Sequence, residues 1–167
     1  MDNLFVTAED VIEIAFASAN LDPAYIKENI IYEVQRDRLY NFLGKEYYAE
    51  LVAESATTYT AANQIIADFI ENALAFFIKA KISPDLAVKS TNAGFISNTT
   101  EFGVKASKSE VEAVITSAEA SGTFWLQSAK DYMTDPDYSD NYPTYNASTT
   151  SDVANNRGNL LGGMMLD

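Results

Sequence analysis

An apolar-periodic run that stops at Leu43-Gly44 and restarts at once at Lys45 constrains this chain more than any other feature. The stretch Leu39-Tyr40-Asn41-Phe42-Leu43-Gly44-Lys45-Glu46-Tyr47-Tyr48-Ala49-Glu50-Leu51 predicts a tight helix–Gly–helix corner. Gly44 is the structural turn, because glycine takes the left-handed conformation that ends a helix. A short helix from Lys45 to about Glu54 then presents Tyr48, Leu51 and Val52. No catalytic residue type accompanies the corner, and a corner of this kind builds a compact all-helical module suited to assembly.

The remaining helix signals fit around it. Thr7 is placed to cap a first helix, with Asp10 where a capping-box acid would sit, and Val11, Ile12, Ile14 and Phe16 carry it toward Asn20. Asp22-Pro23 combines an N-cap with a proline at the first helical position, and Ile26, Ile30, Ile31, Val34 and Leu39 continue at helical spacing to Leu43. Thr60 caps a helix over roughly 61–81, whose wide apolar face (Ile65, Ile66, Phe69, Ile70, Leu74, Phe77, Ile78) predicts the central, most buried helix. Lys79 and Lys81 suit the negative end of that helix, and Ser83-Pro84 is expected to stop it. Overlapping capping boxes from Ser107 and Ser109 open a long helix to about Met133, with Trp125 on its apolar stripe. Gly122 weakens that helix by about 1 kcal/mol relative to Ala, and close approach of another helix is the expected reason.

Two segments break the pattern. Thr91-Asn92-Ala93-Gly94 is a turn signal flanked by Ala87–Ser90 and Phe95–Asn98, which predicts a protruding β-hairpin or loop over about 86–106. Beyond Asp135-Pro136 the chain is polar and lacks helical periodicity, yet it carries Leu160-Leu161-Gly162-Gly163-Met164-Met165-Leu166. A polar tether with an apolar end reads as an arm that docks on a neighbour. The expected fold class is therefore mainly α: a small bundle of four to five helices over 1–135, a hairpin insertion, and an extended C-terminal arm over 136–167. The expected protein-interface residues are Val88, Phe95, Ile96 and Phe102 on the hairpin. On the arm they are Tyr138, Tyr142 and Tyr145, and farther out Leu160, Leu161, Met164, Met165 and Leu166.

Charge and composition narrow the function. With 24 acidic and 11 basic residues, the formal net charge of −13 repels nucleic acid and anionic membrane surfaces. The ten tyrosines sit among acids rather than in basic grooves, so core packing or a protein interface outweighs base stacking. With no Cys and no His, disulfides, Cys/His zinc sites and His-activated nucleophiles are excluded. The acid pairs Glu9/Glu13, Asp10/Glu13 and Glu46/Glu50 read as exposed helix faces, and Asp135, Asp137 and Asp140 lack a calcium-loop pattern. No phosphate-binding glycine loop is present, and neither a signal peptide nor a membrane-spanning run is visible. The expectation is a protein made in a reducing cytoplasm, with no catalytic residues, no metal and no cofactor.

The order of parts carries a resemblance. Asp22-Pro23-Ala24 opens a helix that ends in Phe42-Leu43-Gly44, and Lys45-Glu46-Tyr47-Tyr48-Ala49-Glu50-Leu51 follows. The broad central helix comes next, then Lys89-Ser90-Thr91-Asn92-Ala93-Gly94-Phe95 and the helix from Ser107 with its exit at Asp135-Pro136-Asp137-Tyr138. Over roughly residues 5–145 this resembles the head-to-tail connector (adaptor or ring) proteins of tailed bacteriophages. The resemblance implies a structural virion protein at the head–tail junction, made in the bacterial host. Its partners would be copies of itself in a ring, usually twelvefold, together with the portal protein, neighbouring connector or tail proteins, and genomic DNA passing non-specifically. A soluble acidic helical binding module or assembly chaperone is the alternative on the residues alone.

Overall fold

The computed structural model describes residues 3–16, 21–89 and 107–147, and among them it contains six α-helices and no strand. Helix α1 spans Ala8–Ala15, α2 Glu28–Leu43, α3 Lys45–Ser55, α4 Ala61–Lys89, α5 Lys108–Thr134 and α6 Pro143–Ala147. Helix α4 is the centre. It packs most extensively against α5, and α1 and α2 lie on it as well, while α3 and α6 close the end where the chain turns.

The helix starts follow local chemistry. The backbone N–H of Thr7 donates to Asp10 Oδ2 at 2.8 Å and that of Asp10 to Thr7 Oγ1 at 3.2 Å, so the shorter Asp closes a full capping box. Ser107 and Glu110 repeat the arrangement, and these hydrogen bonds hold the Glu110 carboxyl below its ordinary range. Asp22 does cap, accepting from the N–H of Ala24 at 2.9 Å, but what it opens is a 3₁₀ turn, Pro23–Tyr25. The chain then extends at Ile26, which turns its side chain into the core, and α2 begins only at Glu28.

The corner is as tight as its spacing implies. Gly44 is at once the last cap of α2 and the first cap of α3, with φ 79° and ψ 154°. That is not the ordinary left-handed helical cap but a region open only to glycine. It is the one positive φ among the described residues. The sharp reversal puts Tyr47, Tyr48 and Leu51 into the core directly behind Leu39, Phe42 and Leu43.

Three further expectations are corrected. The first helix ends at Ala15 rather than near Asn20, because Lys79 of α4 reaches across and donates to the Ala15 carbonyl at 2.7 Å. A cation thus caps the negative end of α1 rather than of its own helix.

The second correction concerns Ser83-Pro84, which does not stop α4. The helix runs through Pro84 to Lys89. Ser83 is buried, and its hydroxyl donates to the Lys79 carbonyl at 2.6 Å. Ile82 and Leu86, buried on either side, supply packing that offsets the bond Pro84 cannot make. Residues 87–89, taken as the first strand of the hairpin, are therefore helical. Val88 lies on this helix, while Phe95, Ile96 and Phe102 lie outside the described residues.

The third correction is at Asp135-Pro136, which does not end regular structure. A 3₁₀ turn over Ser139–Asn141 and helix α6 fold back against α3 and α5. Short-range periodicity could not reveal this, because the return uses two aromatic anchors, Tyr142 and Tyr145, three residues apart in a polar stretch.

Gly122 on α5 packs directly against Phe77 of α4. A Cβ built there would lie 2.7–2.8 Å from three ring atoms of Phe77. That ring is itself buried and carries the Arg38 guanidinium 4.6 Å from its centroid. Arg38 also pairs with Glu119 at 2.8 Å, tying α2 to α5 above the ring. Gly122→Ala gains about 1 kcal/mol of helix propensity but must displace a packed ring, at about 1–3 kcal/mol. The expected outcome is a net loss of stability in a urea melt, relieved when Phe77→Leu is added. A stabilised Gly122→Ala would show that the ring moves freely.

Candidate interaction surface

Two groups of side chains stand out once the helices are in place: a buried tyrosine cluster and an exposed apolar groove.

The cluster joins α3, α4 and α6. The Tyr47 hydroxyl donates to Asn63 Oδ1 at 2.9 Å, and Asn63 Nδ2 donates to Glu50 Oε1 at 3.2 Å. The Tyr142 hydroxyl donates to the Ala62 carbonyl at 2.9 Å. Tyr142 and Tyr145 both meet Tyr47 edge to face, with centroids 6.2 and 5.9 Å away. All three are buried. They are structural: the Tyr47 and Tyr142 hydroxyls both donate to acceptors within the fold. Two residues placed at an interface with a neighbour, Tyr142 and Tyr145, are thus in this chain's own core. Tyr138 is 41% exposed and stacks flat on Tyr132 at 4.5 Å.

Burial raises the Tyr47 hydroxyl far above its ordinary range, with Tyr142 and Glu50 adding to the effect. Burial likewise pushes Tyr142 up to about 12, aided by Tyr132, and Tyr59 up to about 12, aided by Glu71. In the unfolded chain tyrosines ionise near pH 10. The folded state therefore holds more protons above that pH, and the stability these groups contribute is complete below about pH 10 and lost as pH rises toward 12. Tyrosinate absorbance from the buried rings is expected to appear only together with loss of helical circular dichroism. Titration of all ten tyrosines with the helices intact would contradict the burial.

The groove lies on the α4–α5 pair. Ser117, Ala120, Ser121 and Phe124 recur at three- and four-residue spacing on one face of α5, and Phe76 approaches from α4. With Trp125 they line an open groove of about 360 Å³. Its floor is made of small residues. The Ser121 hydroxyl donates back to the Ser117 carbonyl at 3.0 Å, so it is satisfied within the helix and leaves the floor largely apolar. Its wall is Phe124, 62% exposed, lying edge-on to Trp125 at 5.5 Å. Trp125 in turn packs on Phe69, with centroids 6.0 Å apart. Ile65, also exposed, lies farther toward the start of α4.

The groove was not among the expected interface residues, although a signal for it exists. Adjacent residues on a helix point about 100° apart, so the doublet Phe124-Trp125 cannot place both rings on one apolar stripe. The stripe through Val111, Ala118, Leu126 and Met133 leaves Phe124 outside.

No group of three or more metal-ligating side chains converges among the described residues. Glu71 is raised by burial, with Asp68 and Asp10 adding to the rise, and Lys79 is lowered by burial. The charges that act on Glu71 are other acids, and Lys79 donates to the Ala15 carbonyl. No described helix is long and apolar enough to cross a membrane.

No curated protein and no solved structure matches this chain. Residues 31–155, well over half its length, match a family whose description is "Family of unknown function (DUF6712)". The matched span runs from α2 through α6 and so takes in the glycine corner, the central α4–α5 pair, the groove and the tyrosine cluster. The chain is a member of the DUF6712 family.

Proposed function

We propose that this protein is a structural assembly subunit, one copy of a ring in the head-to-tail connector of a tailed bacteriophage, seated below the portal and extending the DNA channel toward the tail. The observation that carries the assembly reading is the Phe124–Trp125–Phe76 groove: an aromatic ring 62% exposed on the face of a rigid two-helix core. A large exposed ring beside partly buried aromatics and a small-residue groove gives a protein partner an anchor to cover. The connector reading rests in addition on the order of helix, Leu-Gly corner, short aromatic helix and broad central helix, in which the sequence resembles such proteins.

The rest of the chain is compatible with that role. The Gly44 corner, the Arg38–Glu119 tie and the tyrosine cluster hold helices of the bundle to one another, as a rigid assembly subunit requires. A net charge of −13 keeps passing DNA from sticking. The work is mechanical, with no catalytic step and no cofactor.

Electron microscopy of the purified protein, alone and mixed with portal protein, tests this. Closed rings of uniform symmetry are expected. A chain that stays monomeric in both conditions overturns the ring and favours a one-to-one binding module.

A further inference from the structure

The groove on α4–α5 has a complementary segment in the same sequence. Twelve residues, Ser148 to Asn159, separate the last described residue from Leu160-Leu161-Gly162-Gly163-Met164-Met165-Leu166. They are Ser, Thr, Asn and Asp for the most part, a polar spacer ahead of an apolar end. We propose that the Leu160–Leu166 segment of one copy seats in the Phe76–Phe124 groove of the neighbouring copy. This rests on the ring reading and names the contact that closes the ring.

Three observations support it. The first is chemical match. A largely apolar floor of Ser117, Ala120 and Ser121 between aromatic walls accepts aliphatic and thioether side chains, and Met adapts to irregular apolar gaps and packs well on rings. Gly162-Gly163 lets the segment's backbone lie close to a helix surface.

The second is reach. Asn146 is hydrogen-bonded to the Met133 carbonyl, so the tether starts near the end of α5. Phe124 is about 14 Å back along that helix at 1.5 Å per residue. A random coil of twelve residues spans about 20 Å on average and a fully extended one about 40 Å. The segment can therefore reach the groove of its own subunit, and that of an adjacent subunit lying within about 40 Å.

The third is symmetry, which selects the neighbour. A ring is built from heterologous contacts, in which each subunit presents two different surfaces, one complementary to the other. The groove and the apolar segment are such a pair on one chain. Repeated copy to copy at a rotation that divides a full turn, such a contact closes a circle. Folded back onto one subunit, they would cancel.

Trp125 lines the groove and is the only tryptophan in the chain, so its fluorescence reports occupancy directly. The full chain is compared with a variant lacking residues 160–166 and with Phe124→Ser, whose exposed side chain can be replaced without unfolding the core. In the full chain, Trp125 emission is expected to be blue-shifted at concentrations where rings form and to move to the red on dilution. Both variants are expected to stay red-shifted at every concentration and to need at least tenfold more protein to assemble in sedimentation. A blue shift in the full chain that dilution does not change would mean docking within one subunit and would overturn the proposal. Identical emission in the full and shortened chains would overturn it too.

Microscopy of the same samples separates this inference from the ring reading. Rings formed equally well without residues 160–166 leave the ring standing and remove the segment from its closure. Absence of rings in every sample, with portal present, removes the ring, while the dilution response of Trp125 still decides whether the segment passes between copies.

Discussion

A chain ended after Asp135 is expected to be largely unfolded at room temperature, whereas one ended after Ala147 keeps its helical content and melts cooperatively. The first removes Tyr142 and Tyr145, each 1% exposed, together with the bond from Tyr142 to the Ala62 carbonyl. Deleting a buried aromatic side chain costs about 3–5 kcal/mol. Losing two costs about 6–10 kcal/mol against a total stability of about 5–15 kcal/mol for a domain of this kind. The loss also uncovers Tyr47, whose ring meets both of them. Tyr145→Ala in the full chain is the point version, with an expected loss of about 3–5 kcal/mol in a urea melt. A chain ended at Asp135 that melts like the longer one would show that α6 contributes nothing to the fold.

Gln35→Leu is expected to lower stability by about 2–5 kcal/mol despite adding an apolar group to a buried position. Gln35 is fully buried in α2 and is the link to the segment ahead of α1. Its Oε1 accepts from the backbone N–H of Phe5 at 2.9 Å, and its Nε2 donates to the Asn3 carbonyl at 3.0 Å and to the Tyr48 hydroxyl at 3.1 Å. Leucine fills the volume but leaves the Phe5 amide, in a buried residue, without its partner, and each orphaned buried group costs about 1–3 kcal/mol. Phe5 and Val6 sit in the core only while that backbone is held. Limited proteolysis should therefore cut the first residues of Gln35→Leu well before the rest of the chain. A loss under 1 kcal/mol would mean that the Phe5 amide finds another acceptor.

These two expectations mark where short-range reading succeeds and where it stops. Helix α3 and the end of α2 are legible to within a residue, because a glycine, a capping residue and a 3.6-residue period act over one or two turns. The same holds for the start of α5 at Ser107 and for the reason behind Gly122. The end of α1 was misplaced because its cap, Lys79, comes from another helix 64 residues away. The stop at Ser83-Pro84 failed for a related reason: a proline's local penalty is smaller than the gain from burying Ile82 and Leu86 around it.

The candidate surface divides in the same way. Gly44 was placed correctly as the turn, and the doublet Phe124-Trp125 was visible as letters. What letters do not carry is which of two adjacent rings the fold leaves uncovered. Nor do they distinguish Tyr138, which stays at the surface, from Tyr142 and Tyr145, which do not. All three occur in one polar stretch with similar neighbours, and only the position of Tyr47 across the bundle sorts them.

The sequence by itself determined an all-helical described core, its glycine corner, most of its helix starts and an acidic surface, because each depends on backbone preference, capping or charge within a few residues. The tertiary structure alone decided that the chain returns after Asp135 to complete its own core, that α4 continues through a proline, and that Phe124 stands free above a small-residue groove. Each of those outcomes depends on contacts between residues far apart in the chain, whose burial free energy outweighs the local preference that would have predicted otherwise.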